Sequence, residues 1–366
     1  MGIRCGIVGL PNVGKSTLFN ALTATSAAQV GNFPFCTVDP NIGRVNVPDP
    51  RLDAISSIVS PAKVVWNNIE FVDIAGLVRG ASKGEGLGNQ FLGNIREVDA
   101  VLHLVRCFEG GDISHVDGTI DPLRDIETID TELMLADMES LEKRVDAAAK
   151  KATGGDREAK ADLPIMERAL AALQEGRPAR SIDVSDDEAK RFNMLQLLTS
   201  KPVLYVCNVD EDDAAEGNAL TERVAQHAAA EGAQAVVVSA RIEAELAEIE
   251  EVDEKQVFLE DLGLTEAGLN RVIRAAYRLL GLITFFTAGP KEARAWTVTE
   301  GSTAPNAAGE IHTDFERGFI CAETIGFDDY VDHKGEQGAK QAGRMRQEGR
   351  EYRVKDGDVF LFRFNV

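Results

Sequence analysis

The segment Gly9-Leu-Pro-Asn-Val-Gly-Lys-Ser16 has the residue types and spacing of a phosphate-binding loop. Its glycines let backbone N–H groups converge on an anion, and a helix that starts at the loop adds the positive end of its dipole. The residues predicted to bind the phosphates are Asn12, Val13, Gly14, Lys15, Ser16 and Thr17. Among them Lys15 reaches the β and γ phosphates, and Ser16 offers a hydroxyl to Mg²⁺. The apolar run Ile3–Val8 before the loop reads as a buried strand and Thr17–Thr23 after it as a helix, which is the setting this chemistry requires.

Further along, Asp73-Ile-Ala-Gly76 closes a second apolar run. A carboxylate at that strand end holds Mg²⁺ through water, and the Gly76 N–H points at the γ-phosphate. Thr37 lies where a switch loop supplies a second hydroxyl to the metal, although a turn threonine would look the same. Asn208-Val-Asp-Glu211 stands where guanine-reading proteins carry Asn-Lys-x-Asp. Val209 replaces the lysine that flanks the base, and Glu211 moves the carboxylate by one methylene. A buried polar group left unpaired costs about 1–3 kcal/mol, enough to cancel a preference for guanine. Asn208 either serves an adenine edge or anchors the loop, and Ser239-Ala240 completes the base pocket. The expected substrate is ATP.

Leu77 follows Gly76, where many relatives of this fold place a glutamine that orients the attacking water. Two substitutes are visible. Asn12 is placed to help hold a K⁺ ion, which neutralises developing charge. His115, after Gly110-Gly111, is either a loop residue that swings in to position water or an ordinary surface histidine. Arg79 and Lys83 are weaker phosphate contacts.

Parallel-strand signals at Ile69–Asp73, Ala100–Val105, Pro202–Asn208 and Gln234–Ser239 suggest one doubly wound, mostly parallel α/β domain, residues 1–120 and 201–280. Between its halves, residues 121–200 repeat apolar positions at helical spacing. Ile129, Leu133, Ala136, Leu135, Met138, Leu141 and Val145 are followed by a break at Gly154-Gly155 and then by Ile165, Ala169, Leu170 and Leu173. That is a coiled-coil-like helical hairpin, with a third helix opened by Ser185 and Glu188. Residues 281–366 read as a small α+β domain.

The 366 residues carry a net charge of −21, so nucleic acid cannot be held by the overall field and DNA is not an expected partner. A local basic run, Lys334 to Lys355, is either a solvated face or an RNA patch. No apolar run reaches membrane-spanning length and no secretory signal is visible. Five scattered cysteines without a C-x-x-C predict reduced thiols in a cytoplasmic protein and no zinc site.

Together with the glycine-rich run Asp73-Ile-Ala-Gly-Leu-Val-Arg-Gly-Ala-Ser-Lys-Gly-Glu-Gly-Leu-Gly88, these motifs resemble the Obg-like ribosome-binding ATPase (YchF) family over essentially the whole chain. The resemblance implies a nucleotide domain, an inserted coiled-coil arm and a C-terminal TGS domain of β-grasp fold. It also implies slow ATP hydrolysis with Mg²⁺ and binding to the ribosome, chiefly the large subunit. The arm and TGS domain would touch ribosomal RNA and protein, in a role tied to translation or stress. Two rival expectations stand beside it: a GTPase that assists ribosome assembly, and a ribosome or RNA adaptor for which nucleotide is a structural ligand.

Overall fold

Runs of apolar residues with no polar interruption become central strands when both faces are covered. In the computed structural model, which describes residues 2–27, 41–74, 87–109 and 120–365, this accounts for the sheet that carries the site. The strands are β1 (Arg4–Val8), β2 (Ile42–Asn46), β3 (Val64–Val65), β4 (Asn68–Asp73), β5 (Ala100–Arg106), β6 (Val203–Asn208) and β7 (Gln234–Val238). After them come β8 (Leu282–Ala288), β9 (Ala293–Thr299), β10 (Phe319–Gly326), β11 (Arg346–Glu348) and β12 (Asp358–Phe364). Every residue of β5 and β6 is buried.

Contacts divide the chain into two units. The first comprises Met1–Val45 and Glu70–Val272. Its sheet runs β2-β4-β1-β5-β6-β7, with parallel pairing from β4 through β7. The carboxyl ends of such strands gather at one edge, where loops and helix N-termini meet a ligand.

Helices Pro122–Thr153 and Arg157–Gln174 form the hairpin that the periodicity predicts. Gly155, at φ 93°, makes the turn between them. Leu141, Ile165, Ala169 and Leu173 are buried in its core, with Met138 and Val145 packed against it. Leu135 departs from the expected stripe: it is exposed, one position away from the buried Ala136. At the base of the hairpin, the buried Asp137 carboxylate accepts the backbone N–H groups of Leu198 and Thr199 at 2.9 and 2.8 Å. The helix Asp186–Met194 starts where Ser185 N–H donates to Glu188 Oε2 at 3.3 Å.

The second unit joins Asn46–Ile69 to Ile273–Val366. The sequence boundary at 281 does not anticipate this, because it leaves 46–69 inside the nucleotide domain. Its mixed sheet runs β11-β10-β12-β8-β9-β3, and the two-residue β3 adds parallel to β9. Helix Pro50–Val59 is started by Asp49, whose side chain accepts the Arg51 N–H at 3.1 Å, with proline at the first helical position. Its Leu52 and Ile55 pack with Phe286, Ala295, Ile325 and Tyr330. Among the described residues, no helix is long and apolar enough to cross a membrane.

Candidate functional site

The phosphate end of the site is built by backbone. After β1, Asn12 and Gly14 both take positive φ, 65° and 94°. Left-handed residues in such a loop are what lets successive N–H groups turn towards one anion. Asparagine tolerates that region better than most side chains, and glycine enters it freely. Gly14 is required for a second reason, since a Cβ there would lie 2.4 Å from Asn208 Nδ2. At Gly9 a Cβ would stand 2.7 Å from the Leu104 carbonyl oxygen.

Helix Lys15–Ala27 opens directly from the loop, with Leu18 N–H donating to the Gly14 carbonyl at 2.9 Å. Val13 is buried under the turn while Ser16 and Thr17 are exposed. Lys15 Nζ donates to Asp73 Oδ1 at 2.6 Å, so the loop lysine and the carboxylate at the end of β4 meet. Asp73 is itself fixed by its N–H, which donates to the Asn41 carbonyl at 2.9 Å. An exposed serine hydroxyl at the first helical turn and a strand-end carboxylate are hard oxygen donors of the kind Mg²⁺ takes, and they fit that ion.

The base end is built by side chains from separate segments. Asn208, 5% exposed, donates through Nδ2 to the Val13 carbonyl and accepts the Ala240 N–H at Oδ1, both at 2.9 Å. These two bonds tie the base loop to the phosphate loop and to the start of the helix that follows Ser239. Val209 is buried, and its N–H donates to the Val238 carbonyl at 2.9 Å. Glu211 Oε1 lies 2.5 Å from Arg241 Nε. The approach is an ion pair, and the Arg241 Nε–H donates to Glu245 Oε1 at 3.4 Å.

A cleft of about 670 Å³ runs between the two ends, lined by Asn12, Gly14, Phe108, Asp210, Ala240 and Arg241 among others. Glu211 and Ser239 do not line it, and Ser239 is buried. Thr37, Gly76, Leu77, Arg79, Lys83, Cys36 and His115 lie outside the described residues.

Sequence reasoning missed the cleft residues Phe108 and Arg241. Phe108 follows the end of β5, and its ring is held over the Arg106 guanidinium at 4.4 Å. Arg241 is the second residue of helix Ala240–Glu248. Its only hint was its place directly after Ser239-Ala240. On the same helix Glu243 is buried and accepts the Gly268 N–H at 2.7 Å. Burial pushes its carboxyl up to about 7, against the Gly268 and Leu269 N–H groups and the charge of Arg271.

The chain matches two protein-family models. One, described as a 50S ribosome-binding GTPase, matches residues 4–141. The other, YchF-GTPase_C, described as a protein of unknown function (DUF933), matches residues 282–365. The chain is 56% identical over 366 residues to the ribosome-binding ATPase YchF of Escherichia coli O157:H7, covering 100% of both chains. With the protein of the same name from Bacillus subtilis (strain 168) it shares 53% identity over 368 residues, again covering 100% of both. Among solved structures, the Schizosaccharomyces pombe YchF GTPase superposes with a TM-score of 0.88 at 36% identity, covering 99% of this chain and 98% of that one.

Proposed function

The chain belongs to the YchF family, and from that premise we propose that it is an ATP-hydrolysing, ribosome-binding switch of the cytoplasm. The observation that carries the reading is the meeting of Lys15 Nζ with Asp73 Oδ1 at 2.6 Å beside a loop of two positive-φ residues. That arrangement is made to bind a polyphosphate. Ser16 and Asp73, with Thr37, would hold Mg²⁺, Asp73 through water, and the ion supplies positive charge to the β and γ oxygens. With nucleotide bound, the Lys15 ammonium would turn from Asp73 to the γ-phosphate and stabilise the charge that develops there. The Gly76 N–H contacts the same phosphoryl group. Without a glutamine, either His115 would position the water or Asn12 would help hold a K⁺ ion, which would neutralise developing charge.

ATP is favoured over GTP because Val209 stands in place of the lysine that flanks guanine and Glu211 carries its carboxylate one methylene away from the guanine-reading position. The helical hairpin and the C-terminal unit, read as a TGS domain of β-grasp fold, are the ribosome-facing parts, chiefly toward the large subunit. In the C-terminal unit Lys340, Arg344, Arg350 and Arg353 are exposed and supply local positive charge for RNA phosphate despite the acidic chain. Loss of the γ-phosphate would free the loops carrying Thr37 and Gly76 and change how those parts are presented.

Phosphate release from the purified chain with ATP and with GTP, with and without ribosomes, in K⁺ and in Na⁺, tests this. ATP should be turned over faster than GTP, and ribosomes should speed it. Faster GTP turnover would move the protein to the assembly GTPases. Equal co-sedimentation with ribosomes in nucleotide-free, ADP and non-hydrolysable ATP states would favour an adaptor.

A further inference from the structure

We propose that Arg241 is a purine-selecting residue, which acts by holding Glu211 and so denying guanine the carboxylate it would need. The inference rests on the nucleotide reading above and deepens it. Arg241 is fixed at its root, because the preceding residue, Ala240, donates its N–H to Asn208 Oδ1 at 2.9 Å. From the second position of that helix its Nε stands 2.5 Å from Glu211 Oε1 and 3.4 Å from Glu245 Oε1. The guanidinium therefore ties the base loop to the helix that forms the far side of the cleft.

The consequence differs for the two purines. Guanine presents two donors side by side, its ring N–H and its amino group, and a carboxylate pairs with them only if both oxygens are available and charged. Glu211 has one oxygen covered and its charge offset by Arg241. Adenine presents a single amino donor beside a ring acceptor, so it loses much less from the same engagement. An arginine suits this task because its guanidinium stays charged at any working pH and offsets the Glu211 carboxylate through the ion pair.

Asp210, Glu245 and Glu248 also line the cleft. Removing Arg241 makes that end more negative and weakens every nucleotide somewhat, so the ratio of affinities reports selection and the absolute values do not. The Arg241 side chain is 76% exposed, which keeps the core intact in a truncated variant and limits the pair to a modest strength.

The test titrates fluorescently labelled ATP and GTP into the full chain and its variants. In Arg241→Ala the ATP-to-GTP affinity ratio should fall about fivefold. Arg241→Lys should recover part of it, since a point charge still attracts Glu211. In a Glu211→Gln background, Arg241→Ala should leave the ratio unchanged. An Arg241→Ala ratio equal to that of the unmodified chain would overturn the inference while leaving the ATP reading intact. So would a change that persists when Glu211 is already Gln. If the unmodified chain binds GTP as tightly as ATP, the ATP reading itself fails and takes this inference with it.

Discussion

The two ends of the nucleotide cleft are made in opposite ways. At the phosphate end one short stretch, Gly9 to Thr17, supplies almost everything, and its shape comes from backbone angles at Asn12 and Gly14. At the base end Phe108, Asn208–Glu211 and Ala240–Glu248 arrive from three places in the chain, and the Asn208 side chain's bonds to backbone groups and the Arg241–Glu211 ion pair join the last two. Backbone geometry can be changed only by breaking the loop. Side-chain pairs can be exchanged singly, so the base end is where a family can alter its nucleotide while keeping its chemistry. If that contrast is right, damage at the phosphate end should abolish turnover of any nucleotide, and damage at the base end should be graded.

The largest expected effect is at Lys15. Lys15→Ala removes the ammonium that meets Asp73 and, in the proposed mechanism, the γ-phosphate. Losing one preorganised charge of this kind costs about 10²–10³ in turnover. Phosphate release should drop by that factor with ATP and GTP alike. Retained turnover would break the assignment of the phosphate end altogether.

The next effect in size belongs to the base end and appears in stability. Glu243 lies on the helix that carries Ala240 and Arg241, and burial raises its carboxyl from 4.5 to about 7. Below pH 4.5 the folded and unfolded chains both hold the proton. Between 4.5 and 7 the unfolded chain releases it while the folded chain keeps it, so this group makes stability fall as pH rises. At about 1.4 kcal/mol per pH unit, the loss is on the order of 3 kcal/mol once pH passes 7. Glu243→Gln should remove that slope, which denaturant midpoints of both proteins at pH 5 and pH 8 would reveal. A difference between variant and parent that does not change with pH would mean that Glu243 is not held protonated.

The same contrast explains what could be read from the sequence. The phosphate loop was legible because its information is contiguous, and Asp73 because a carboxylate closing an apolar run after such a loop has few other uses. The hairpin was legible because Leu141, Ile165, Ala169 and Leu173 recur with the period of a helix face. Arg241 and Phe108 were not, since their importance lies in contacts with Glu211 and Arg106 that no spacing encodes. Asn208 was half legible. Its type and position marked it as part of the base loop, but only the fold separates an anchor from a base contact. Residues 46–69 join the second unit through a two-residue strand and one short helix, too little pattern to reveal a partner more than two hundred positions away.

The smallest of these expected effects tests the joint between the two ends. Asn208 bonds to both, to the Val13 carbonyl in the phosphate loop and to the Ala240 N–H where the base-end helix begins. Both groups are buried around it, so Asn208→Ala leaves a donor and an acceptor without their side-chain partner, at a cost of about 2 kcal/mol. Asn208→Asp should not rescue, because its second oxygen would face the Val13 carbonyl instead of donating to it. An anchor that fails loosens the loop and the helix together, so ATP and GTP affinity should fall by a similar factor, about tenfold or somewhat more. That is the opposite signature to Arg241→Ala, where the ratio moves. If Asn208→Ala instead changed the ratio as strongly as Arg241→Ala, Asn208 would be reading the base itself, and the division of the cleft into a backbone-built end and a side-chain-built end joined by one anchor would fail at that joint.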